Sequence, residues 1–146
     1  MSRGRNAGIG SGLVAGAAIA AIVVACGRPP PTSFPKQNEI TALWTQIRDW
    51  RREAHMELEP TPQSLFSVRN ATTHEAAKVC PVGHTVPATC SDVCNLSDAI
   101  CDNAETICTL ADELGKGDDY AQEKCASAKA SCREGKQRCC DCSGAP

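Results

Sequence analysis

The sequence predicts an all-α fold: a disulfide-stapled antiparallel helical hairpin, at about 91–114 and 119–140, with an amphipathic helix at about 37–58 packed on it. Three observations carry this expectation. Cys94, Cys101 and Cys108 stand seven residues apart, and so do Cys125, Cys132 and Cys139. Paired from the inside out, Cys108 with Cys125, Cys101 with Cys132 and Cys94 with Cys139, the residue numbers always add to one total, the register of two antiparallel helices. The seam positions between them are all small: Ser97, Ala104 and Ala111 on the first ladder, Ala121, Ala128 and Gly135 on the second. Packed helices ordinarily stand about 8–10 Å apart, whereas a disulfide brings its Cα atoms to about 5.5 Å. Only a seam free of bulky side chains admits such a ladder.

Residues 1–25 read as an export signal. Arg3 and Arg5 form a positive start, and 9–25 is an uncharged, Gly/Ala-rich apolar run, slightly short for a stable membrane span. It closes on Val23-Val24-Ala25-Cys26, which resembles the lipobox of bacterial lipoproteins. The resemblance implies cleavage before Cys26, a diacylglycerol on its sulfur and an acylated new N-terminus, and several acyl chains anchor far more firmly than one. Gly27 in the next position implies, by the same likeness, transfer to the outer membrane. Residues 26–36 contain Pro29-Pro30-Pro31 and read as an extended tether.

The unit 37–59 carries Ile40, Leu43, Ile47, Trp50, Ala54 and Leu58 at helical spacing, with Trp44 beside the stripe and Arg51-Arg52-Glu53 placed on solvated ground. Pro60 and Pro62 are read as its stop. A loop-rich connection follows over 60–90, without regular structure to about 70, with a short helical turn at 73–78 and a Pro/Gly loop at 80–87. The hairpin unit spans 91–146: Ser91 or Thr89 caps its first helix, Gly115 ends it, and Asp118 or Asp119 caps the second. Val93, Ile100, Ile107 and Leu114, joined by Leu96 and Leu110, form an apolar stripe beside the seam that needs a cover. The Trp-bearing helix is the candidate cover; left unpacked, it would be the surface for a partner.

With Cys26 assigned to lipid, ten of the 11 cysteines remain, all between Cys80 and Cys142. An exported chain meets an oxidising compartment, where such density means disulfides. Cys80, Cys90, Cys140 and Cys142 allow three connectivities. Helical register favours Cys90 with Cys142, which leaves Cys80 for Cys140, and these remain the less determined pairs. Removing 1–25 takes Arg3 and Arg5 from the 15 basic residues and none of the 17 acidic ones, leaving a net charge of −4. That disfavours nucleic acid and anionic lipid headgroups as partners.

No hydrolase elbow, phosphate loop, zinc-protease helix or haem motif is present, and His55, His74 and His84 are scattered. The C-x-x-C at Cys139–Cys142 lies at a helix C-terminus with Asp141 inside it, where a thiolate is disfavoured. Cysteines lining a helical bundle also resemble copper-storage proteins, so a thiolate site for Cu(I) or zinc is the alternative. The lipobox at 23–26, the Trp-containing helix and the stretch Ile100-Cys101-Asp102 through Lys124-Cys125-Ala126 together resemble small cysteine-rich lipoproteins of the myxobacterial type. That likeness carries no activity. The expectation is a non-enzymatic, lipid-anchored structural or interaction module of the bacterial cell envelope. It lies at the outer membrane, on its periplasmic face or the cell surface. It has no cofactor, it reaches the membrane through its N-terminal lipid, and the sequence identifies no protein partner.

Overall fold

The computed structural model describes residues 33–143; the expected signal, Cys26 and the tether up to residue 32 lie outside them. The described chain is all-helical: α1 Ser33–Glu53, α2 Pro62–Ser67, α3 Thr73–Ala77, a 3₁₀ turn Ala88–Cys90, α4 Ser91–Leu114 and α5 Asp119–Cys140. Helices α4 and α5 form the antiparallel hairpin, and α1 packs along it. Lys36 pairs with Glu113 and Asn103 donates to the Gln46 side chain, so α1 runs antiparallel to α4. Gln37 donates to Asp118 and Arg51 to Glu134, so it runs parallel to α5. Among the described residues no helix is long and apolar enough to cross a membrane.

The cover over the hairpin stripe is α1. Ile40, Trp44 and Ile47 are buried against Ile100, Ile107, Ala104 and Ala128, with Leu43, Trp50, Leu110 and Leu114 packed around them. Each large aliphatic side chain so buried contributes about 1.5–3 kcal/mol. Trp44 is covered rather than offered to a partner, and Lys124 lies 5.5 Å from the centre of its ring. Asn103 also reaches the Leu43 carbonyl, and the hydroxyls of Thr41 and Tyr120 meet at 2.6 Å.

Several boundaries differ from expectation. Helix α1 already includes Ser33–Lys36, because Pro35 falls in its first turn, where a missing N–H costs nothing. It ends at Glu53 rather than near 58. His55 takes a left-handed φ of 55°. Its N–H then bonds the Arg52 carbonyl at 3.0 Å while that of Met56 bonds the Arg51 carbonyl at 2.8 Å, the paired closure of a Schellman motif. The prolines read as stops instead open α2. Thr61 accepts from the Ser64 N–H, and Pro62 sits in the first turn. A capping box between Thr72 and Glu75 starts α3. Neither Thr89 nor Ser91 caps α4: its cap is Cys90, with no side-chain bond, delivered by the 3₁₀ turn. Asp118 does cap α5, accepting from the Ala121 N–H at 3.0 Å, and Gly115 closes α4 at φ 88°.

Helices α2 and α3 cross the remaining side of α5. There Val68, Ala76 and Ala130 form a second buried cluster, flanked by Leu65 and Ala71. Lys129 donates to the Ala71 carbonyl at 2.8 Å, and burial lowers its pKa despite Asp112 nearby. Helix α5 is thus covered by α4, by α1 and by the α2–α3 strap. This explains why Ser127, Ala128, Ala130 and Ser131 are all buried and all small.

Candidate functional site

Ten cysteines pair in five disulfides. The hairpin staples are Cys94–Cys139, Cys101–Cys132 and Cys108–Cys125, with Cα separations of 4.8, 4.6 and 4.6 Å. Helix backbones reach that distance only over small side chains. Gly135 shows how close the seam is: a Cβ built there would lie 3.3 Å from the Ser97 Cβ and 3.4 Å from its Cα. Beyond the seam, Cys90 joins Cys142 at a Cα distance of 6.1 Å and Cys80 joins Cys140 at 5.6 Å. Both close the loop between α3 and α4 onto the C-terminal end of α5.

Four of the bridges are nested: their sequence separations grow from 17 through 31 and 45 to 52, each loop enclosing the last. The fifth, Cys80–Cys140, encloses the three hairpin staples and crosses Cys90–Cys142. Three of them converge where Cys139, Cys140 and Cys142 leave α5. Burial differs along the column. Cys132, Cys90 and Cys139 are 0, 1 and 7% exposed. Cys108 and Cys125 are both half-buried on their helices, and Cys80 is the exposed one, on a loop. All ten expected disulfide cysteines are thereby placed; Cys26 lies outside the described residues. Among the described residues, no group of three or more His, Cys, Asp or Glu side chains is gathered to hold a metal ion.

The most buried charge was not expected. Arg51 is 1% exposed, although its place in the sequence suggested solvent. Its Nε donates to the Glu57 carbonyl at 2.7 Å, and one terminal nitrogen donates to the Glu59 carbonyl at 3.1 Å and to Glu134 at 2.7 Å. Glu134 also accepts from the backbone N–H and the hydroxyl of Thr61, both at 2.9 Å. One ion pair therefore locks α1, the 57–61 turn and α5 together. Burial pushes the Glu134 pKa up, but hydrogen bonds from Ser64, Thr61 and Arg51 outweigh it and hold the carboxyl below its ordinary 4.5. The signal was in the spacing: Ile40, Trp44, Ile47 and Arg51 recur at four, three and four residues, the buried face of α1.

No family model, curated protein or solved structure matches the chain.

Proposed function

We propose that the protein is a lipid-anchored, non-enzymatic module of the bacterial cell envelope, held at the outer membrane by acyl chains on Cys26. Its folded part serves as a covalently stapled structural or interaction unit. The observation that carries this reading is the cysteine count: ten of the 11 pair with one another, leaving Cys26 as the eleventh, at the end of the apolar run. Disulfides in that number persist in exported proteins rather than in a reducing cytosol, and Val23-Val24-Ala25 precede Cys26 as the lipoprotein motif requires.

Expression in a bacterial host with intact lipoprotein processing tests the reading. The protein is expected in the membrane fraction, beginning at Cys26 and carrying acyl mass there, with no thiol alkylated under denaturing conditions. Cys26→Ala is expected to release it to the soluble fraction. Unchanged fractionation of that variant would defeat the anchor, and six or more alkylated thiols would favour the thiolate metal site instead.

A further inference from the structure

We infer that Cys80–Cys140 is a thiol-exchange site, at which a small external thiol enters as a mixed disulfide on Cys80 and unpins the loop between α3 and α4. Exchange requires a thiolate to approach a sulfur in line with the S–S bond, so access selects which bridge opens. Three bridges are shielded by a buried partner: Cys90–Cys142, Cys94–Cys139 and Cys101–Cys132. Cys108–Cys125 is the rival, because both residues line a surface cavity of about 380 Å³. Its two cysteines, however, stand on helices held 4.6 Å apart, and neither can swing to present its sulfur. Cys80 is exposed and stands on a segment with no helix between Ala77 and Ala88.

The loop is built to be released without loss of the fold. From Val79 to Cys90 it contains no Asp, Glu, Lys or Arg, in a chain that is 22% charged. Val82 is fully exposed, and between Cys80 and Pro87 the one backbone hydrogen bond within the described residues joins His84 to Pro81. Opening Cys80–Cys140 removes the bridge that begins earliest in the chain and leaves the other four closed, Cys90–Cys142 still tying the far end of the loop to the C-terminal end of α5. The loop then goes from pinned at both ends to pinned at Cys90 alone.

The chemistry balances with one co-reactant, a low-molecular-weight thiol. Its thiolate forms an S–S bond to the Cys80 sulfur as the Cys80–Cys140 bond breaks. The electron pair leaves on Cys140, which takes a proton from water. A second thiol can attack the mixed disulfide, releasing the Cys80 thiol and the oxidised small thiol. When the thiol is withdrawn the mixed disulfide reverts, the Cys140 sulfur attacking Cys80 and expelling the small thiol. The full dithiol recloses by the reverse exchange with the oxidised small thiol, which is reduced as the bridge forms.

The test treats the oxidised full chain with graded reduced glutathione, traps it with N-ethylmaleimide and maps the adducts by peptide mass. The first species expected carries glutathione on Cys80 and maleimide on Cys140, forming on the order of tenfold faster than any other adduct. Hydrogen exchange of that species is expected to rise over 78–88 and to stay unchanged in α4 and α5. A first adduct on any other cysteine, Cys108 and Cys125 included, overturns the proposal, as does opening of all five bridges together. Cys80→Ser/Cys140→Ser is expected to keep four bridges and lose the early adduct; should it fail to fold, the wild-type map alone decides.

Discussion

Arg51 matters through what its removal would strand. Truncation to alanine leaves Glu134 half-buried without its cation and the Glu57 and Glu59 carbonyls without their donor. Breaking a buried pair from one side costs about 3–5 kcal/mol, so Arg51→Ala is expected to lower stability by that order in denaturant titration. Glu134 adds a pH dependence of known sign. A carboxyl held below its ordinary 4.5 in the fold binds its proton less tightly there than in the unfolded chain. Its contribution is complete above that ordinary value and lost as pH falls through the lower, folded one. Thermal melts should therefore weaken on acidification below pH 4.5, less steeply in Glu134→Gln than in the wild type. Part of that slope survives in the variant, because Glu75, hydrogen-bonded to Thr72, is also held below its ordinary value. A lone arginine among apolar spacings is easily read as a solvated charge, because its carbonyl and carboxylate partners come from distant turns that no periodicity announces.

Among the elements, those tied to a covalent register were the legible ones. A ladder of cysteines every seven residues dictates helix, direction and pairing together, which is why α4 and α5 agree with expectation to within a few residues. Helix ends and short helices depend on single capping contacts instead. Thr61-Pro62 is a start signal that also resembles a stop, and His55 closes α1 in the conformation where glycine is usual. A non-glycine residue there costs about 1 kcal/mol, so His55→Gly is expected to raise stability by about that amount in thermal melts. The seam predicts the opposite sign for added bulk. Gly135 lies between the Cys94–Cys139 and Cys101–Cys132 staples, so the backbones on either side cannot part. Gly135→Val is expected to lose about 1–3 kcal/mol, the usual cost of overpacking, and to slow oxidative refolding, read as the yield of fully bridged protein.

At the scale of the whole molecule, few large apolar side chains hold the fold because the bridges carry much of its stability, each on the order of 2–4 kcal/mol. The α2–α3 strap adds a second small cluster that the hairpin alone does not have. The order of those bridges along the chain also sets how the molecule bears tension. Cys80–Cys140 encloses the three hairpin staples and is a shorter path than Cys90–Cys142, which it crosses, so a pull between residue 33 and residue 143 passes first across that one bond. Nothing between Cys80 and Cys140 can be drawn out while it holds. Single-molecule stretching of the oxidised chain is expected to pay out only the roughly 50 residues outside it, at most about 180 Å. Adding a reductant should lengthen the trace in steps, beginning with the short increment up to Cys90–Cys142. A domain hung from a membrane by one end would then behave as a short leash with a hard stop, yielding first at its most reducible link.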